Sequence, residues 1–264
     1  MSAHENSDNN IGGPVKIGQH TLRFLELKDS RKAALTLLGS FDDDHLATYL
    51  VSHVEDPDVR AKLCLALYEA YTRQHILNGI VLGINETDDA FETVAIWAHP
   101  TALEDGLESY STMMEAGYST VWEMNDKTGR KKVFTEMMGA LHDTAERILN
   151  FDERFMNKGV YTLVYLGSLR SARGKGNVRF MFEYMFRNYI DTKPDSITYL
   201  ESSSINNIPV YEKFGFRLHS ELTVGKRTPG SSVEGQDYAK LYVMIRGYKG
   251  RDWSKEDTNV HSHF

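Results

Sequence analysis

The chain has 264 residues, 41% of them hydrophobic and 25% charged, and its formal net charge is −7. That length supports a single domain with a sizeable core, and the acidic balance argues against a nucleic-acid-binding role because phosphates are repelled. The single cysteine, Cys64, excludes an intrachain disulfide framework and a cysteine-rich zinc site, and no run of about eighteen apolar residues offers a membrane span.

Residues 1–17 read as a polar, disordered arm. The opening MSAHENSDNN has neither the apolar core of a secretory signal nor the arginine-rich helix of an organelle presequence. The expected compartment is therefore the cytosol, with the nucleus left open. Residues 21–27 suit a first strand, 30–38 begin a helix, and 41–45 read as a loop or helix start. Apolar residues at helical spacing predict a helix over 58–76, which would bury Cys64 on its inner face. Residues 80–84 and 91–97 form a predicted hairpin, ended by His99-Pro100. Residues 102–149 carry Tyr110, Met113, Met114, Tyr118, Trp122, Phe134, Met137 and Met138 at loose helical spacing. They predict two or three helices, broken near 126–129. Such residues line an adaptable pocket as readily as they pack helices together.

Strands follow at 160–168, 197–201, 216–224 and 238–245, with helices at 178–189 and 208–214. Residues 249–264 read as a tail. The expectation is one α/β domain over 18–248 with a mixed central sheet, flanking helices and a helical insertion at about 102–149.

The densest chemical signal lies in LGSLRSARGKGNVRFM, residues 166–181. A strand runs into Arg173-Gly174-Lys175-Gly176-Asn177-Val178 and a helix begins. Paired glycines let the backbone bend sharply, and the first helical turn offers free N–H groups to an anion. Arg173, Lys175 and Arg179 add positive charge. This is the chemistry of a phosphate or pyrophosphate cradle, although the pattern alone also fits a plain surface turn. It is neither a dinucleotide fingerprint nor a P-loop.

Arg173-x-x-Gly176-x-Val178 resembles the acetyl-CoA pyrophosphate motif of the GNAT superfamily of N-acetyltransferases, with Val178 where the family has a small residue. Ser168 and Arg170 stand where the family often has a hydrophobic residue and a proline. Downstream, Tyr199-Leu-Glu-Ser-Ser-Ser204 and Asn207-Ile-Pro-Val-Tyr-Glu-Lys-Phe-Gly-Phe216 resemble the second half of the cofactor site, with Tyr211 four residues before Gly215-Phe216. The segment Tyr199 to Phe216, like Thr93 to Pro100, is most similar to the puromycin acetyltransferase-like, small-molecule branch. The resemblance implies a mostly antiparallel GNAT sheet and acetyl-CoA as acetyl donor. It implies that Leu166, Gly167, Ser168, the turn from Arg173 through Gly174, Lys175, Gly176, Asn177 and Val178 to Arg179, and Asn207 hold that donor. It further implies that Tyr211 lies beside the cofactor sulfur as the acid for the leaving thiolate.

Acetyl transfer also needs a neutral amine and a donor to the developing oxyanion. The strand backbone at 166–168 is the implied donor. Glu201 and His99, each at a strand end, are the candidates for binding or deprotonating the amine. No repeated His/Asp/Glu pattern suggests a metal. The expected activity is acetyl transfer from acetyl-CoA directly to a small-molecule amine, by a monomer or homodimer that engages neither membrane nor nucleic acid. A protein or peptide N-acetyltransferase and a non-catalytic acyl-CoA-binding domain are the alternatives.

Overall fold

The computed structural model describes residues 14–255. Eight strands form one sheet: β1 (Val15–Ile17), β2 (His20–Phe24), β3 (Ile80–Glu86), β4 (Phe91–Ala98), β5 (Gly159–Ser168), β6 (Ser196–Ser202), β7 (Phe216–Gly225) and β8 (Tyr238–Arg246). Their spatial order is β1-β2-β3-β4-β5-β6-β8-β7. Every neighbouring pair is antiparallel except β5 and β6. The expected mixed, mostly antiparallel sheet is therefore the observed one.

One face carries α1 (Ser30–Ser40), α2 (His45–Val51), α3 (Pro57–Asn78) and the insertion. The other carries α8 (Asn177–Asn188) and the short α9 (Ile208–Glu212). Local chemistry starts the helices where they start. Asp56 accepts from the N–H groups of Asp58 and Val59, with Pro57 preset for the first turn of α3. Asp44 caps α2 through the Ala47 N–H, and Ser109 caps α4 (Tyr110–Ala116) through that of Thr112. The insertion continues as α5 (Tyr118–Met124), α6 (Lys127–Arg130), a π-helical stretch over Lys131–Met137 and α7 (Met138–Phe151). Its break falls at Asn125-Asp126, close to the expected place. The π-helical stretch is clamped to α2. Lys132 donates to the Tyr49 carbonyl (2.9 Å) and to Ser52 Oγ (2.6 Å), and the Tyr49 hydroxyl donates to Glu136.

Two boundary expectations need correction. The arm was expected to reach residue 17, yet Val15–Ile17 pairs with β2 in the register Val15↔Leu22; residues 1–13 lie outside the described residues. The tail was expected from 249, yet Trp253 is buried and donates its indole N–H to the Ile245 carbonyl, closing a small core with Phe155 and Tyr199. Residues 256–264 lie outside the described residues. Among those described, no helix is long and apolar enough to cross a membrane.

The end of β8 is held by a buried ion pair. Arg246 grips Asp191 through two bonds of 2.8 and 2.9 Å, donates to the Phe214 carbonyl, and lies 3.7 Å from the centre of the Phe186 ring. Removing one partner strands the other charge in a dry setting. Arg246→Met should therefore cost about 3 kcal/mol and lower Tm by about 10 °C, as measured by thermal unfolding.

Candidate active site

The site starts from a defect in the sheet. β5 stays paired with β4 as far as Thr93↔Ser168, but its parallel pairing with β6 stops at Leu163↔Leu200. At that level the β4 register slips between Ile96 and Trp97, leaving Val164 as an extra residue on β5. Such a bulge bends the strand that carries it. The β6-facing backbone edge over residues 164–168, which includes Leu166, Gly167 and Ser168, is left without a strand partner. An extended amide chain can hydrogen-bond there as a strand would. Gly167 serves the packing behind this edge, since a Cβ on it would lie 2.8 Å from Leu37 Cδ2 of α1. Ser168 Oγ is bonded to Thr93 Oγ1 at 2.9 Å.

β5 leads directly into the glycine turn. Gly174 and Gly176 adopt φ of 79° and 85°, a region that L side chains rarely enter. The N–H groups of Gly174, Gly176, Asn177, Val178 and Arg179 have no hydrogen-bond acceptor among the described residues. They gather at the N-terminus of α8, where the helix dipole favours an anion. This free donor set fits a pyrophosphate.

The surrounding charges are arranged differently from the simple reading of three cations. Lys175 Nζ is paired with Glu92 Oε1 at 2.7 Å, so much of its charge is neutralised. The Asn177 side chain is buried and donates to Glu92 Oε2 (3.0 Å) and Thr93 Oγ1 (3.2 Å), so it braces the turn. Burial opposes ionisation of Glu92, but hydrogen bonds from Lys175, Asn177 and Asn85 outweigh it and hold the pKa down at about 2. Arg170 is occupied by Asp42 and Asp43. Arg173 and Arg179 are exposed and have no acidic partner among the described residues, so they remain the available cations. Val178 turns into the core beside α8, which leaves its N–H free while its side chain is packed away. Glu92 was invisible as a site residue in the sequence, because Lys175 and Asn177, which tie it to the turn, lie more than eighty positions away.

Where β5 and β6 part, side chains from both faces of the sheet reach one cavity of about 910 Å³. Glu201 comes from β6 on the face of Tyr199, whereas Tyr211 comes from α9 on the opposite face, packed against Phe182 and Phe216. Burial pushes the Glu201 carboxyl up to about 7 and the Tyr211 phenol up to about 12. Asn207, Leu166 and His99 also line the cavity. His99 Nδ1 faces Thr101 Oγ1 at 3.2 Å and lies 3.9 Å from Asp105, so the following turn holds it.

Sequence reasoning missed the α3 wall: Tyr68 and Tyr71 pack edge-on against Tyr165 of β5 and line the cavity with Gln74 and His75, while Met113 and Met137 of the insertion, with Val133, complete it. Burial pulls His75 down to about 4, and its Nδ1 donates to the Tyr71 carbonyl. Cys64 packs against the main core, as its place on the inner face of α3 implies, and also lines the cavity; burial pushes its thiol up to about 11. It is thus no thiolate nucleophile at neutral pH. No group of three or more His, Cys, Asp or Glu side chains among the described residues could hold a metal.

The chain is 33% identical over 192 residues to an uncharacterized N-acetyltransferase of Schizosaccharomyces pombe, covering 73% of this chain and 72% of that one. The chain belongs to the GNAT superfamily of N-acetyltransferases. It is an acetyl-CoA-dependent enzyme, and its fold carries the acetyl-CoA site of that superfamily. Solved GNAT structures share the fold at low identity. Arylalkylamine N-acetyltransferase 2 of Aedes aegypti matches at TM-score 0.52 and 13% identity, covering 88% of this chain and 100% of that one. The polyamine N-acetyltransferase of Drosophila melanogaster matches at 0.50 and 9%, covering 86% and 99%. A histone acetyltransferase HPA2-related acetyltransferase of Corynebacterium glutamicum matches at 0.50 and 15%, covering 88% and 97%. No protein-family model matches the chain. Within the GNAT frame, β5 joins the parting from β6 and the glycine turn: its edge is free of β6 beyond Leu163, and its C-terminal end leads into the turn before α8.

Proposed function

We propose that this GNAT enzyme acetylates a small-molecule amine, in keeping with its resemblance to the puromycin acetyltransferase-like branch. The observation that carries the reading is the cavity itself. Glu201 and Tyr211 open into a chamber roofed by insertion helices and lined chiefly by apolar and aromatic side chains. Such a partly open, helix-covered chamber suits a whole small molecule, whereas a peptide needs a groove open at both ends.

Acetyl-CoA supplies the acetyl group as a thioester. The turn from Arg173 to Arg179 binds its pyrophosphate through backbone N–H groups, aided by the Arg173 and Arg179 side chains. The free edge of β5 over 164–168 aligns the pantetheine amides and offers the N–H that stabilises the oxyanion. Asn207 flanks the path at the start of α9. Glu201 removes the proton from the bound ammonium, for which a carboxyl near pKa 7 is matched to neutral pH. The freed amine attacks the thioester carbon, Tyr211 donates its proton to the sulfur as the C–S bond breaks, and the proton shed by the new amide nitrogen returns to the phenol oxygen. His99 shapes the wall, and Glu201 is preferred as base because it lies deeper and faces the parted strands.

The test is a panel of small amines and peptides assayed for CoA release with acetyl-CoA. Turnover of amines with no turnover of peptides is the expected result; the reverse would overturn the reading.

The cofactor placement has its own check. A side chain at Gly176 meets open space, with His20 Nε2 the nearest atom at 3.7 Å, so the fold should tolerate it. A β-branched residue at this φ costs about 1–3 kcal/mol unless the turn shifts, and a shift would scatter the N–H groups. Gly176→Val should thus weaken acetyl-CoA binding about tenfold or more by calorimetry, while amine affinity holds.

A further inference from the structure

Asn85 stands near the end of β3, away from the cavity lining and outside the glycine turn. Its φ is 52°, a left-handed conformation that an L side chain adopts at a cost. That conformation sets its amide between two groups. Oδ1 accepts from the Thr21 N–H of β2 at 2.8 Å, and Nδ2 donates to Glu92 Oε2 of β4 at 2.9 Å. The strand register steps over this pair, from Ile84↔Thr93 to Glu86↔Phe91.

Glu92 is the hub of a wider set of bonds. Its carboxylate also accepts from Lys175 Nζ at 2.7 Å and Asn177 Nδ2 at 3.0 Å, and its carbonyl accepts from the Leu169 N–H at 3.0 Å. Asn177 extends the chain to Thr93 Oγ1 at 3.2 Å, and Thr93 meets Ser168 Oγ at 2.9 Å. The β1–β2 hairpin touches the same turn. Gln19 Nε2 donates to the Lys175 carbonyl at 3.1 Å, and the His20 ring stacks on Phe180 of α8 with centroids 5.1 Å apart.

A carboxylate beside an anion-binding turn opposes the charge of the anion and neutralises Lys175. Its bonds give it a different contribution. Gly174 and Gly176 leave the turn with little stiffness of its own. Backbone N–H groups bind an anion well only when they already converge on it. The order of this turn is therefore imposed from outside, through the two side chains that Glu92 grips.

We infer that Asn85 is a positioning residue for acetyl-CoA: from the neighbouring strand it fixes Glu92, and Glu92 fixes the turn whose N–H groups take the pyrophosphate. The inference rests on the placement of the pyrophosphate at that turn.

The experiment measures acetyl-CoA affinity by calorimetry, with KM and kcat from CoA release. Asn85→Gly deletes the amide, leaves the net charge unchanged and suits the positive φ. The dissociation constant and KM for acetyl-CoA should rise about threefold or more, while kcat at saturating acetyl-CoA stays near wild type. Asn85→Asp keeps the acceptor for Thr21 and tolerates the left-handed conformation, but it sets a second carboxylate against Glu92. Its loss of affinity should exceed that of Asn85→Gly, and either variant carries the test if the other misfolds by circular dichroism. Gly176→Val is the control on the placement itself. Folded Asn85 variants that bind acetyl-CoA like wild type, even with a lower Tm, overturn the inference, as does a loss confined to kcat. Weakened binding in Gly176→Val then leaves the placement of the pyrophosphate standing. Unchanged binding in Gly176→Val as well overturns both.

Discussion

Tyr211→Phe should lower the single-turnover rate of acetyl transfer by about 10²–10⁴, the range for a lost general acid. The substitution removes one oxygen and keeps the ring that packs against Phe182 and Phe216. The fold should therefore survive, as circular dichroism would show. The hydroxyl has no hydrogen-bond partner among the described residues and its residue lines the cavity, so the proton is free to be delivered there. A phenol pushed up to about 12 by burial is a weak acid in isolation. The same dry surroundings raise the basicity of a departing thiolate, which keeps the two partners matched. The loss should fall on kcat, with acetyl-CoA affinity nearly unchanged. A correctly folded variant with an unchanged chemical step would leave Tyr211 a packing residue.

Glu201→Gln should cost about 10²–10⁴ in kcat/KM at neutral pH and should also erase part of the pH dependence. A base acts when deprotonated. With the carboxyl raised to about 7, the wild-type rate should climb as pH rises through 7 and level off above it. The glutamine variant should lack that limb. Stability moves the opposite way. Burial lifts the folded-state pKa above the ordinary carboxyl value, so ionisation is disfavoured in the fold and stability is lost as pH rises from about 4.5 through about 7. Glu201→Gln should consequently raise Tm at pH 8, with a much smaller gain at pH 5. A variant that loses activity but shows no pH-dependent stabilisation would assign Glu201 an environment wetter than the cavity described here.

Much of this enzyme was legible along the chain because the signals were local. The paired glycines at 174 and 176 announced a turn with positive φ, and α8 begins at Asn177. The interval from Tyr211 to Gly215-Phe216 placed a phenol on a short helix, and the apolar spacing of 58–76 marked out α3. Even the departure at Val178 could be reasoned through, since a backbone donor survives a change of side chain. Cys64 shows the limit. A helical pattern identifies an inner face, but whether that face meets core or cavity depends on what is packed opposite.

By itself, the sequence determined the order of strands and helices, the glycine turn before α8 and the candidate acid. These depend on backbone geometry within a few residues, which side-chain size and hydrogen-bonding capacity dictate directly. Only the tertiary structure decided that Lys175 pairs with Glu92, that Val164 is the bulge that parts β5 from β6, and that Asp44, Tyr68, Tyr71, His75 and Tyr165 meet around one chamber. Those residues come from a loop, a helix and a strand far apart in the chain. Burial, and with it the raised pKa of Glu201, belongs to the space the packed elements enclose, and no local pattern encodes that space.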